Sequence, residues 1–206
     1  MMPVVSAANT TTSSLNASQG TNNDSQSKKL KKVHTSNSNA TKGAKELLNY
    51  LNSLMGNKII GGQYNYASSP SELTKYTDRI YNESGKYPEL WGADWSFRNH
   101  EEGAWTVAEQ HRGTVDEAKE RAAAGEIVSL MWHMPRPDVE LATAGWWEVK
   151  TWFDDTMAKN IITPGTTEYS QMIARIDAIV PYMKQLQDAG VTVLWRPYHE
   201  MNYGFF

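Results

Sequence analysis

The sequence has no cysteine, no long apolar run and no strong excess of charge of either sign. The lack of cysteine excludes disulfide bonds and thiolate metal ligands, although it leaves the cellular compartment open. No apolar run approaches the roughly 18 residues of a membrane span, so we expect no membrane partner. With a formal net charge of −3, the chain lacks the basic surplus of nucleic-acid-binding proteins, and we expect no nucleic-acid partner.

Residues 1–40 contain few large apolar side chains and are rich in Ser, Thr, Asn, Gln and Lys. Such a segment cannot bury enough apolar surface to offset the entropy of folding, so it is predicted to be a disordered tail or linker. Residues 1–8 weakly resemble the end of a secretory signal peptide, although they are too short for a whole one and carry no basic side chain. We interpret them as a remnant, with a chance match as the alternative, and expect a secreted, extracellular protein.

From Thr41 onwards, segments with the apolar spacing of helices alternate with short apolar runs typical of strands. The predicted order is a leading helix that stops at Gly56, a strand at 58–64, a helix capped by Ser69 or Ser71, a strand at 87–95, a helix over 114–124, a strand at 126–135, a helix over about 168–189 and a strand from Val191. Thr114 and Glu117 have the spacing of a capping box, and Pro181 is expected to kink the last helix. Alternating strands and helices predict a parallel sheet.

The last strand changes abruptly from apolar to polar side chains. After Trp195, the chain brings Arg196, His199, Glu200 and Asn202 to the carboxyl end of the strand. Burying such groups costs several kcal/mol unless each is paired, and this end of the strands is where (β/α) barrels carry their active sites. We interpret Glu200 as a general acid/base, with Arg196 and His199 supporting it and Asn202 donating to a substrate hydroxyl. A structural Arg–Glu pair is the alternative.

Two earlier strands end in polar side chains at the same edge of the sheet. Asp94 ends the second strand and His133 ends the third, beside the strand that leads to Glu200. A turn-capping Asp and a structural His are the alternatives. The aromatic residues Trp132 and Phe205 stand near these groups in the chain, and flat aromatic rings suit sugar stacking. We therefore predict that Asp94, His133, Trp132 and Phe205 bind substrate.

The connection over residues 136–165 is unusually rich in tryptophan. It contains Trp146, Trp147 and Trp152, which either stack on sugar rings or fold the connection on itself. Long connections at the carboxyl ends of barrel strands commonly carry function.

The segment Trp195–Asn202, Trp-Arg-Pro-Tyr-His-Glu-Met-Asn, resembles the acid/base motif of glycoside hydrolase family 26, the β-mannanase family. Gly62-Gln63 at the end of the first strand fits the family as well, and the resemblance covers about residues 42–206. It implies an α/β fold, the (β/α)8 TIM barrel, of which residues 41–206 would form about the first four β/α units. It also implies a retaining endo-β-1,4-mannanase that hydrolyses mannan-type polysaccharides, with Glu200 as acid/base, His133 in contact with substrate, and no metal or organic cofactor.

The resemblance also indicates what the chain lacks. A retaining glycosidase needs a second carboxylate as nucleophile, about 5–5.5 Å from the first. In the family this nucleophile is a Glu on a later strand, and no residue of this sequence matches its motif. We therefore expect the nucleophile beyond Phe206, and we expect the chain to be an incomplete fragment of a catalytic domain that is inactive by itself.

Three other readings remain open. A non-catalytic glycan-binding module would use the same aromatic residues without needing Glu200. A relative within the family could act on another β-glycan. A metallohydrolase is the third, because His199-Glu200 begins like a zinc-binding His-Glu-x-x-His helix; however, position 203 is Tyr and Pro197 argues against a helix there.

Overall fold

A computed structural model describes residues 33–95, 104–140 and 154–199, which form a four-stranded parallel sheet with its connecting helices. The elements in chain order are α1 (Lys42–Leu54), β1 (Gly62–Asn65), α2 (Lys75–Ser84), β2 (Leu90–Asp94), α3 (Val107–Ala123), β3 (Ile127–Trp132), α4 (Asp155–Asn160), α5 (Thr167–Asp188) and β4 (Val193–Pro197). This arrangement confirms the predicted fold, four β/α units of a (β/α)8 barrel. No helix in the described ranges is long and apolar enough to cross a membrane.

The sheet order is β1-β2-β3-β4, and every neighbouring pair is parallel. Side chains alternate between the two faces of a strand, and residues aligned in register share a face. One face packs against the helices: Trp91, Leu130 and Trp195 lie there with the helical core residues. The opposite face, which we call the inner face, carries these residues: Gly62, Tyr64, Gly92, Asp94, Ser129, Met131, Leu194 and Arg196.

The core between the sheet and α3 and α5 is built from fully buried apolar side chains. Val115 and Ala118 of α3 and Ile179 and Leu186 of α5 meet the helix-facing side of the strands. Fully burying one such large side chain contributes about 1.5–3 kcal/mol. The described members of this core cluster do not include the inner-face residues, so this core covers only the helix side of the sheet.

Helix α1 lies across the N-terminal edge of the sheet. Tyr50 donates a hydrogen bond to Glu89, directly before β2. Gly43 approaches Thr192, directly before β4, so closely that a Cβ there would lie 2.6 Å from the threonine Oγ1. The apolar face predicted for this helix is partly covered, and none of its residues is fully buried.

The predicted start of α3 is wrong. The sequence holds two Thr-x-x-Glu patterns, and the helix uses the earlier one: Thr106 and Glu109 form the capping box. Thr114 instead lies within the helix and is fully buried. The earlier start is possible because Gly113, within the helix, leaves room for the indole of Trp105. It also allows the first two turns to pack against the core.

The predicted serine caps of α2 are also wrong. Ser69 and Ser71 hydrogen-bond to each other at 3.2 Å. The helix begins at Lys75, and Asn65 at the end of β1 takes the capping role. Its Oδ1 accepts from the backbone N–H groups of Tyr76 (3.1 Å) and Thr77 (3.2 Å). A fully buried strand residue therefore caps a helix that starts ten positions later, which a local pattern cannot reveal.

Other boundaries shift less. Strand β1 begins at Gly62 rather than at residue 58, whereas α5 matches its predicted span and contains Pro181. Helix α4 is an unpredicted short helix within the long connection. Residues 33–40 contain neither helix nor strand, and the rest of the predicted tail lies outside the described residues.

Candidate active site

Asp94 and His133 form a pair at the C-terminal edge of the sheet. Asp94 is the last residue of β2 and is 2% exposed. Its Oδ1 accepts the backbone N–H of His133 at 3.2 Å, and its Oδ2 contacts the imidazole Nδ1. Because both carboxylate oxygens are engaged by the same residue, the imidazole is fixed in position and orientation. The prediction that the two residues share an edge is thus realised as direct contact.

His199 packs edge to face on His133, with ring centroids 3.8 Å apart. Regular alternation from Arg196 would instead place Tyr198 on the inner face and His199 on the helix side. Tyr198 has a positive φ of 53°, a left-handed conformation that costs a non-glycine residue free energy. Its ring packs on Trp132 in the core, at 5.6 Å, and His199 turns to the inner face. The strained backbone at Tyr198 therefore delivers His199 to the site.

The backbone of Tyr198 is nevertheless tied to the sheet. Its N–H donates to the carbonyl oxygen of Trp132 at 3.1 Å, which continues the β3–β4 ladder one residue past the strand. Burial raises the pKa of the Tyr198 phenol. The residue directly before His199 is thus fixed on both its backbone and its ring.

Tyr64 extends the site towards β1. It lies on the inner face, and β1 and β2 are neighbours in the sheet. Burial, followed by the negative charge of Asp94, raises the pKa of the Tyr64 phenol well above its ordinary value. The hydroxyl therefore stays protonated at all physiological pH values and remains a hydrogen-bond donor.

Arg196 lies on the inner face of β4 and is exposed. Its Nη1 lies 3.4 Å from the Sδ of Met131 on β3. Within the described ranges it has no carboxylate partner. The predicted supporting role beside Glu200 stays a prediction, because Glu200 lies outside the described residues.

Trp132 lies on the opposite side of the sheet from Asp94 and Arg196. It is 4% exposed, and its ring stacks on Trp195 with centroids 6.2 Å apart. This placement supports a packing role: the indole backs the strands that carry His133 and His199. A direct contact between Trp132 and a sugar, as predicted, finds no support in this geometry.

Several predicted site residues lie outside the described ranges. These are Glu200, Asn202 and Phe205, together with the tryptophans Trp146, Trp147 and Trp152. Their roles stay predictions. Glu200 nevertheless follows His199 directly in the chain, so the described site leads up to it.

A metal ion has one candidate position among the described residues. One donor atom from each of Asp94, His133 and His199 lies within 4.8 Å of the others. A carboxylate and two imidazoles are ligands that zinc accepts. However, Asp94 Oδ2 and His133 Nδ1 already contact each other, so a metal bound through these two atoms would have to displace that contact. The geometry favours a hydrogen-bonded pair.

Two residues of the site were missed by sequence reasoning. Tyr64 could have been found by alternation from Gly62, had β1 been placed to end at Asn65. Tyr198 gives no such signal, because a left-handed tyrosine has no local sequence pattern.

Comparisons with known proteins agree with one another. The model of glycosyl hydrolase family 26 matches residues 36–206. A mannan endo-1,4-beta-mannosidase of Thermothelomyces thermophilus is 34% identical over 180 residues, covering 82% of this chain and 34% of that protein. The structure of GH26A from Muricauda sp. has a TM-score of 0.71 at 32% identity and covers 81% of this chain and 51% of its own.

A second solved structure gives the same result. The GH26-CBM35 beta-(1,4)-mannanase of Podospora anserina has a TM-score of 0.63 at 36% identity, covering 82% of this chain and 37% of its own. The chain therefore spans between about a third and a half of the length of these relatives.

Proposed function

Because the chain belongs to glycosyl hydrolase family 26, we propose that it carries the acid/base side of the active site of a retaining endo-β-1,4-mannanase. The substrate would be a mannan-type polysaccharide, as the names of its relatives state for those proteins. The observation that carries the proposal is the contact series Asp94–His133–His199, which lies at the C-terminal edge of the sheet directly before Glu200.

The proposed reaction uses Glu200 twice. First, its protonated carboxyl gives a proton to the glycosidic oxygen while a second carboxylate attacks the anomeric carbon, so the leaving sugar departs and a glycosyl-enzyme forms. Then Glu200, now a carboxylate, takes a proton from water, which attacks the same carbon and releases the product. The two inversions together retain the anomeric configuration.

Asp94 acts on this reaction through His133. The Asp94 carboxylate holds the His133 imidazole in one position and orientation. A fixed imidazole can select one hydroxyl of a sugar and hold the sugar ring against Glu200. Tyr64, which stays protonated, adds a donor on the β1 side.

The nucleophile is the part of the scheme for which no residue of this sequence is assigned. We propose that the nucleophile comes from a later barrel strand, and we expect the 206-residue chain alone not to turn over mannan. A longer form of the protein with a second carboxylate should do so. Multiple turnovers by the purified chain, lost on Glu200→Gln, would contradict this part of the proposal while supporting the role of Glu200.

The test of the main proposal is hydrolysis of β-1,4-mannohexaose by the protein as its source produces it, followed by NMR of the anomeric protons. We expect β products first, and a loss of about 10²–10⁴-fold in kcat in Glu200→Gln, since this is the usual contribution of general acid catalysis. Glu83→Gln, an exposed surface change, is the matched control. Inverted first products would exclude the retaining scheme, and unchanged sugar binding without any hydrolysis would favour a glycan-binding module.

We also propose that the protein is secreted, because a polysaccharide substrate lies outside the cell. N-terminal sequencing of the protein recovered from the culture medium checks it. A mature N-terminus within residues 1–40 is expected, and recovery in the cell fraction alone would contradict it.

A further inference from the structure

Three tyrosines form a row at the C-terminal end of β1, which we call the tyrosine row: Tyr64, Tyr66 and Tyr76. The rings of Tyr64 and Tyr66 meet edge to face, with centroids 5.4 Å apart and an interplanar angle of 85°. Tyr66 and Tyr76 meet similarly, at 5.9 Å and 68°. Tyr66 is nevertheless 52% exposed. The middle ring is thus oriented by both neighbours while much of its surface faces solvent.

The row starts at the site and leads away from it. Tyr64 lies on the inner face within electrostatic range of Asp94. Tyr66 directly follows β1, at the edge where Asp94 and His133 also lie. A ligand that occupies the site and extends past β1 would therefore pass over Tyr66.

The backbone beneath the row is fixed by Asn65. This buried residue precedes Tyr66, accepts from the N–H groups of Tyr76 and Thr77, and donates from Nδ2 to the Thr77 hydroxyl at 2.6 Å. Both ends of the segment that carries Tyr66 and Tyr76 are thus anchored to one side chain. Little conformational entropy remains to be lost when a ligand settles on Tyr66, which favours binding.

The surroundings of the row suit a neutral ligand. The ammonium group of Lys75 lies 5.6 Å from the centre of the Tyr76 ring. The same ammonium group forms a salt bridge with Glu72 at 2.8 Å. The charge beside the row is therefore compensated. An exposed, oriented aromatic face with a polar tip matches the apolar face and the hydroxyl rim of a pyranose ring.

We propose that Tyr66 is a stacking platform for a pyranose ring of the same polysaccharide chain, a binding subsite apart from the position where the bond is cleaved. This inference rests on the proposed function, because it takes the polymer as ligand. It predicts that affinity rises with oligosaccharide length until the chain reaches Tyr66.

The test is isothermal titration of the protein as its source produces it, carrying Glu200→Gln so that the ligand is not hydrolysed, with β-1,4-mannohexaose and with mannobiose. Tyr66→Ala should weaken hexaose binding about tenfold, or about 1.4 kcal/mol, and leave mannobiose binding unchanged. Tyr66→Trp should retain the wild-type affinity. Tyr87→Ala is the matched control, because Tyr87 is 44% exposed and stacks on Tyr81 at 4.4 Å, before the start of β2.

The outcomes are separable. Hexaose binding that is unchanged in Tyr66→Ala would overturn the subsite and leave the proposed function standing. A lowered melting temperature in Tyr66→Ala with unchanged binding would identify a packing residue and overturn it equally. If the protein as its source produces it bound no mannan oligosaccharide, the proposed function itself would fail, and the subsite with it.

Discussion

The two edges of the sheet carry similar residue types but differ in how their charges are satisfied. At the N-terminal edge, Arg121 pairs with Glu117 at 2.5 Å, Glu126 at 3.2 Å and Asp78 at 3.6 Å, and it lies over the Tyr87 ring at 5.0 Å. A permanently charged cation is there surrounded by carboxylates. Each nitrogen of the guanidinium is engaged by a carboxylate, so the arrangement stabilises the fold and offers no group to a ligand.

At the C-terminal edge, the charges are paired with groups that can change state. The carboxylate of Asp94 meets an imidazole, and that imidazole meets a second one. Arg196 is exposed and has no carboxylate partner in the described part of the chain. In (β/α) barrels this edge carries catalysis and the other carries stability. The two edges therefore differ in how completely neighbouring groups neutralise each charged side chain, and this difference distinguishes the functional edge from the stabilising edge.

The largest effect is expected at the stabilising edge. Arg121→Ala leaves Glu117 and the buried Glu126 without their cation, which should cost about 3 kcal/mol of unfolding free energy. For a domain of this size, the melting temperature should fall by roughly 6–12 °C. Calorimetry measures the shift, and oligosaccharide binding at 20 °C should stay unchanged. Weaker binding without a thermal shift would show that the two edges are not separate in role.

The next effect is expected at the functional edge. In Asp94→Asn the amide can still accept the His133 backbone N–H, but it cannot accept from both His133 groups as the carboxylate does. We expect about a 100-fold lower kcat/KM in the active protein, in line with losses of partners that orient histidines. The pH profile should change while the melting temperature stays within a few degrees.

Glu126→Gln at the opposite edge is the matched control for Asp94→Asn, because it also neutralises a buried carboxylate. It should lower the melting temperature and leave kcat/KM unchanged. A loss of stability alone in Asp94→Asn would reduce that residue to a structural one.

The smallest effect concerns a buried histidine that belongs to neither edge. His111 of α3 lies 4% exposed beside Tyr182, with ring centroids 5.0 Å apart, and burial lowers its pKa to about 4. The unfolded chain takes up this proton below about pH 6.5 and the folded chain does not. Stability should therefore fall as the pH drops from about 6.5 to about 4, by about 2 kcal/mol at pH 5.

Chemical denaturation at pH 7 and at pH 5 measures the effect of His111. In His111→Leu this part of the pH dependence should disappear. If the slope persists in that variant, other groups cause it.

Much of the fold was predictable because periodicity is a local property. The alternation of helical and strand patterns gave the parallel sheet, and the polar residues after three strands gave the edge that carries the site. The capping box at Thr106 was missed because Thr114 offered the same pattern, and packing of the first two helix turns against the core decided between them. Asn65 was missed as a cap because its partners lie 11 and 12 positions away.

The contacts within the site were less predictable than its location. Asp94 and His133 were expected at one edge, but their direct contact depends on the register between β2 and β3, which neither strand specifies alone. Trp132 was assigned to substrate because it precedes His133, and neighbours along a strand face opposite sides. That alternation places the indole in the core.

The left-handed backbone at Tyr198 has a consequence for engineering. In a regular strand every second side chain lies on the same face. At Tyr198 this alternation shifts by one residue, so that His199 rather than Tyr198 lies on the inner face. Transplanting Trp195–His199 onto an ordinary strand of another barrel would point His199 away from the inner face, even with an identical sequence. A design would have to reproduce the positive φ of Tyr198 together with the sequence. It would also need the packing of Tyr198 on Trp132, which stabilises this conformation.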